Sequence, residues 1–178
     1  MTSERITLKA FETGRRDGHN ACVQDAIDRV AEQGGGTVVL PAGLSVTTGT
    51  VTLRSRVELH LEKGSAIEAS RDPAHYASED APALLEARDA EDVAVTGPGV
   101  IEGHGIEFMA KDLGYIYEPK PFRPRLLCFY DCTNVALRDV TFHDAPIWTV
   151  HLIGCEHVDI VGITIDNNLA IPNCDGID

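Results

Sequence analysis

The feature that most constrains this chain is an internal repeat. The segment CTNVALRDVTF (132–142) aligns without gaps on CEHVDIVGITI (155–165), an offset of 23 residues. A less regular copy, DVAV (92–95), lies 42 residues before the corresponding point at Val135. Apolar residues alternate within each copy, at Val135 and Leu137 and again at Val158 and Ile160, which is the period of a β-strand. A strand-rich repeat of this length describes the stacked coils of a solenoid. Each coil then lies one strand spacing, ~4.8 Å, above the last, so like residues pile on like.

A different period precedes the repeat. After a strand-like start from Ile6 to Phe11, a turn at Asp17-Gly18 leads to Asn20, a suitable N-cap. Val23, Ala26, Ile27, Val30 and Ala31 follow the spacing of one apolar helical face, and Gly34 to Gly36 end it. The glycines follow the helix and lack a Gly-Lys-Ser/Thr ending, so they form no phosphate loop. From Thr37 onward come short β-type runs, at 37–40, 46, 51–53, 57–61 and 66–67, separated by Pro, Gly and Ser. No helices alternate with them, which excludes a doubly wound α/β sheet. The expected fold is all-β, a right-handed parallel β-helix with an N-terminal capping α-helix from Asn20 to Gln33. It forms one domain over 1–178, with the strand and capping helix in 1–43 and the coils in 44–178. Nothing comparable to the helix covers the other end, so the expectation is that C-terminal coils are missing and that uncovered ends pair with one another.

The net charge of −13 and the absence of a Lys/Arg cluster exclude a nucleic-acid partner. An anionic substrate would have to be met by local cations. No apolar run reaches the ~18 residues of a membrane span, so no membrane partner is expected. The amino end shows no basic stretch followed by an apolar h-region, which makes the cytoplasm the default location. Five cysteines, Cys22, Cys128, Cys132, Cys155 and Cys174, are an odd number without framework spacing and favour reduced thiols. They lack the paired Cys-x-x-Cys spacing of a zinc site, so no metal ligand is assigned.

Three segments carry a resemblance. DAID (25–28) runs through GGGTVVLPAG (34–43); GPGVIEGHG spans 97–105; and APIWTVH (145–151) leads to NCDGID (173–178). Together they resemble the polygalacturonase family, family 28 of the glycoside hydrolases, and the third resembles that family's first catalytic motif with its lead-in. The resemblance covers the chain up to that motif. It implies inverting hydrolysis of α-linked galacturonide bonds in an acidic polysaccharide or oligogalacturonide, with no metal or organic cofactor. It gives Asp175 the water-activating role and places the general acid after residue 178, so these 178 residues alone are expected to be inactive. Cys174 stands where the family usually has Thr, which weakens the hydrogen bond beside Asp175. Gly103-His104-Gly105 belongs to a turn before the first motif and is read as structural.

Around Asp175, the candidate substrate-binding residues are Asn173, Asp178, His151 and Arg125. Asp175 and Asp178 are three apart, so a regular strand would turn them to opposite faces unless Gly176 kinks it. Alternation places Trp148, Val150 and Leu152 inward and leaves His151 to a cleft. A lone histidine serves structure as readily as function. Arg123 and Arg125 bracket Pro124, and either a carboxylate-binding guanidinium or a charged surface turn fits them. The Asp166 to Asn168 stretch is read as a turn. The segment from Glu107 to Pro121 is a candidate cleft wall. A calcium-dependent β-helix lyase is the nearest chemical alternative, and a non-catalytic β-helix module that binds or displays polysaccharide is the alternative from another class.

Overall fold

The computed structural model describes residues 4–8, 19–78 and 80–178. Three parallel sheets run along one axis, and the chain visits them in turn. The first sheet stacks Glu4–Thr7, Gly36–Leu40, Val57–Leu61, Glu91–Thr96, Thr133–Arg138 and Glu156–Val161. The second stacks Ser45–Thr48, Ala66–Ala69, Val100–Glu102, Thr141–His143 and Thr164–Asp166. The third stacks Val51–Thr52, Ala83–Arg88, Arg125–Tyr130 and Val150–Ile153. Together they make a right-handed parallel β-helix, the hand that parallel crossovers take.

The repeat in the sequence is the register of the sheets. Val135 pairs with Val158 and Leu137 with Ile160. The same offset of 23 pairs Phe142 with Ile165 and Leu127 with Val150. The weaker copy pairs Val93 with Val135. Inside the tube, Leu59, Val95 and Leu137 form one fully buried column, Ile67, Ile101 and Phe142 a second, and Leu85, Leu127 and Val150 a third. Each such side chain contributes roughly 1.5–3 kcal/mol by leaving water.

One corner shows why small polar residues recur. Gly35, Arg56, Asp92, Asn134 and His157 occupy equivalent register positions at the start of the first-sheet strands, with φ of 110°, 61°, 56°, 57° and 53°. The left-handed conformation suits Gly and tolerates Asp, Asn and His. Asn134 also donates Nδ2 to Asp92 Oδ1 at 3.0 Å, binding two corners together.

The helix spans His19–Glu32, which puts Asn20 inside its first turn rather than at the N-cap. The Asp17-Gly18 turn lies outside the described residues, as does the strand-like stretch beyond Leu8. Val23, Ala26, Ile27 and Val30 are buried against the first coil, the face that their spacing requires. Gln24 covers the free edge of the third sheet. Its Nε2 donates to Thr52 O at 3.0 Å, and its Oε1 accepts from Thr52 N at 2.8 Å. An edge strand whose amide and carbonyl are both taken cannot template another chain at that point.

Candidate functional site

The site lies where the third sheet meets the last turn of the chain. Residues 176–178 extend that sheet by one more strand. Val150 N donates to Gly176 O at 3.1 Å, Asp178 N to Val150 O at 2.9 Å, and Leu152 N to Asp178 O at 2.8 Å. Thr149 N donates to Asp175 O at 2.9 Å, so the backbone of Asp175 is fastened to the segment that carries Trp148 and His151. The carboxylates of Asp175 and Asp178 are both exposed, and so is Asn173, which holds a left-handed φ of 60°. Gly176 lies at a bend in the chain without a left-handed φ, and a Cβ there would meet only Ile165 Cδ1 at 3.5 Å. A second change of direction comes at the left-handed Asn173.

Two residues hold this geometry. Asn167 accepts from Ala145 N at 3.0 Å and donates to Thr149 Oγ1 at 2.7 Å and to Cys174 O at 3.0 Å, so one amide joins three segments. Arg123 donates Nη1 to Pro146 O at 3.3 Å and to Pro172 O at 2.9 Å, tying the turn before Trp148 to the turn before Asn173. Burial lowers the Arg123 pKa from its ordinary value. Read from sequence, Asn167 is only a turn residue and Arg123 is indistinguishable from Arg125. Long-range contacts of 18 residues and more separate their roles, and no local pattern records those.

His151 stands on the outer face of the third sheet, opposite Asp178 and beside Cys128, whose Sγ is 3.8 Å from His151 Nδ1. Val150 is buried and Leu152 packs against the core, as alternation requires. Trp148 departs from it. Its ring meets the His151 ring edge to face, with centroids 4.8 Å apart, and it also receives the Arg125 guanidinium 4.9 Å from its centroid. The strand starts only at Val150, so strand alternation does not reach Trp148, and Thr149 takes the interior place under Asn167. Trp148, His151 and Arg125 therefore share one face.

Electrostatics follow from that grouping. Burial lowers the His151 pKa, the Arg125 charge lowers it further, and Asp178 pulls the other way. Arg125 keeps Nε and Nη1 buried with no partner among the described residues. A buried donor left unmade costs roughly 1–3 kcal/mol, so this guanidinium is primed for an acceptor. Cys174 points its thiol at Asn168 O, 3.5 Å away, and packs against the core. Burial raises its pKa, which keeps it protonated and unsuited to attack. No group of three or more His, Cys, Asp or Glu side chains among the described residues could hold a metal ion.

Gly103 and Gly105 sit under this site. A Cβ on Gly103 would lie 2.4 Å from Asp144 O, and one on Gly105 would lie 2.7 Å from Ile171 Cδ1 and 2.8 Å from Ala145 O. The Gly-His-Gly turn thus lets two backbones approach under the Ala145–Trp148 turn. The Glu107–Pro121 segment folds into an antiparallel hairpin of Met109–Asp112 and Tyr117–Pro119, and Tyr117 N donates to Ala170 O at 2.9 Å beside the Asn173 turn. No helix of the described residues is long and apolar enough to cross a membrane.

Comparison with known proteins adds the following. The model of the glycosyl hydrolases family 28 matches residues 34–178. A probable polygalacturonase of Vitis vinifera is 29% identical over 173 residues, 86% of this chain and 35% of the relative. A probable rhamnogalacturonase A of Aspergillus oryzae is 31% identical over 147 residues, 82% of this chain and 28% of the relative. The crystal structure of an exopolygalacturonase from Thermotoga maritima superposes with a TM-score of 0.76 at 25% identity, covering all of this chain and 50% of that one. The chain spans about a third of the length of these curated relatives. Nothing among these findings supports the cytoplasmic location expected from the amino end.

Proposed function

This chain belongs to family 28 of the glycosyl hydrolases, and from that premise we propose that its parent hydrolyses α-linked galacturonide bonds with inversion, Asp175 activating the water. The observation that carries the reading is the fastening of NCDGID (173–178) to the Trp148–His151 segment as an added strand of the third sheet. Inversion needs one carboxylate to take a proton from water as its oxygen attacks the anomeric carbon. It needs a second carboxyl to protonate the departing glycosidic oxygen, ~6.5–9.5 Å from the first. The second carboxyl, on this proposal, belongs to coils that follow residue 178.

The surrounding residues divide the remaining tasks. Arg125 offers donors to a uronate carboxylate and lies over the Trp148 ring. His151, held toward its neutral form, hydrogen-bonds sugar hydroxyls. Asn173 and Asp178 complete the substrate contacts at either side of Asp175. No metal or organic cofactor enters the proposed reaction. The 178 residues by themselves form one solenoid domain without glycosidase activity, because removing one member of a cooperating catalytic set costs several orders of magnitude.

The test uses the complete protein with polygalacturonate and a reducing-end assay. Turnover should appear in the parent and fall by at least a thousandfold in Asp175→Asn with KM little changed. Release from rhamnogalacturonan alone would move the substrate, and loss of activity in chelator would favour lyase chemistry.

A further inference from the structure

Asp175 has no anchor for its own side chain. Its carboxylate is exposed and accepts no hydrogen bond among the described residues, so where it points depends on how firmly the backbone holds its Cα. The peptide groups on both sides of that Cα are held. After it, Asp175 O accepts from Thr149 N at 2.9 Å. Before it, Cys174 O accepts from Asn167 Nδ2 at 3.0 Å. Both bonds lead to one amide, because Asn167 Nδ2 also donates to Oγ1 of Thr149, a fully buried residue, at 2.7 Å. On its other side, Asn167 Oδ1 accepts from the N–H of buried Ala145 at 3.0 Å, which ties the amide to the floor of the site.

This set of partners asks for a carboxamide. Two N–H donors and one carbonyl acceptor are all in use, and turning the group over would set Oδ1 against Cys174 O and Nδ2 against the Ala145 N–H. A carboxylate would likewise set an oxygen against Cys174 O. The Cys174 thiol takes no part in the arrangement. It points at Asn168 O, 3.5 Å away, and packs against the core, so the weaker donor at residue 174 does not bear on Asp175. Arg123 stands one step farther out, on Pro146 O and Pro172 O. Asn167 is thus the side chain whose bonds reach both peptide groups of Asp175.

We infer that Asn167 is the positioning residue of this site, aiming the Asp175 carboxylate by holding the peptide groups on either side of it. The inference rests on the galacturonide reading above for the reaction that Asp175 serves. Asn167 lies behind the backbone of Asp175 and touches no substrate in this scheme, so it acts on the rate of the bond-breaking step and leaves binding alone.

The experiment compares variants of the full-length protein on polygalacturonate by reducing-end assay, with circular dichroism as the folding control. Asn167→Ala should lower kcat about a hundredfold with KM little changed, the cost of a shift of ~1 Å in a reacting group. Cys174→Ala should leave kcat unchanged. Asn167→Asp supplies a readout that a merely structural role would not move: its kcat relative to the parent protein at each pH should recover as pH falls, because the substituted carboxyl donates to Cys174 O only when protonated. Hydrogen exchange gives a measure independent of turnover. The Thr149 amide should exchange up to about tenfold faster in Asn167→Ala, the loss of one hydrogen bond's worth of local stability. Parental kcat in Asn167→Ala, or an Asn167→Asp ratio that does not move with pH, overturns the positioning role and leaves the galacturonide reading standing. If the parent protein releases no reducing ends, that reading falls, and unchanged Thr149 exchange in Asn167→Ala would then overturn the positioning role as well.

Discussion

The middle coils and the last coil are built from the same sequence pattern and reach different burial. Val93 and Val135 are sealed in the interior, whereas Val158, next in the same column, is only half-buried. Val95 and Leu137 against Ile160, and Ile101 and Phe142 against Ile165, repeat the contrast in two further columns. The side chains are equally apolar, and the difference is the neighbour above. A solenoid coil cannot bury its own face, so its stability is a sum of contacts with the coils on each side. At the helix end, Val23, Ile27, Val30 and the Gln24 clamp supply that neighbour. At the last coil, Ile163 and Ile165 pack against the core on one side only.

The largest effect should separate the two regions directly. Phe142→Ala removes a fully buried ring and should cost about 3–5 kcal/mol. Ile165→Ala, in the same column, should cost less than about half as much by urea denaturation. Equal losses would mean that the last coil is covered in solution.

Association tests that alternative. The 178 residues should associate in light scattering, since half-buried apolar columns and a strand at 176–178 present a template for pairing. Ile160→Lys should give a monodisperse monomer, whereas Leu137→Lys, one coil earlier, should fail to fold. A monodisperse parent chain would break the comparison.

Arg123 probes the joint between the regions, because it ties Pro146, after the middle coil's second-sheet strand, to Pro172 in the last turn. Arg123→Met leaves both carbonyls without that donor and should cost about 1–3 kcal/mol in thermal unfolding. The smallest effect concerns His151 at the same boundary. Its pKa is depressed by burial and by Arg125, so the unfolded chain takes up the proton first. Stability should therefore fall as pH drops through the ordinary imidazole value of 6.5, where the unfolded state binds more protons. His151→Gln should flatten that part of the profile relative to the parent protein.

Much of the fold is legible because a solenoid writes its tertiary contacts into its sequence period. Strand 57–61 and the offset of 23 both reappear in the sheets without displacement. The left-handed corners at Asp92, Asn134 and His157 are not read from the sequence, because Asp, Asn and His tolerate that conformation without requiring it. Trp148 is misplaced from sequence because alternation was carried back past the start of its strand at Val150. Whether Gly176 bends the chain is left open by the spacing of Asp175 and Asp178; the structure has a bend there and a further turn at Asn173.

By itself, then, the sequence determined what depends on neighbours along the chain: the alternation of the strands, the apolar face of the helix, the coil period and the identity of NCDGID (173–178). Only the tertiary structure decided which side chains meet across coils. It made Asn167 a clamp on three segments and Arg123 a clamp on two, and it put Trp148 against Arg125 and His151. It also set Arg54 and Arg88, 34 positions apart, on the rim of one pocket. The physical reason is that hydrogen bonds and ring contacts depend on distance in space. The period fixes which residues share a column, but the bends between strands decide where a side chain outside a strand points.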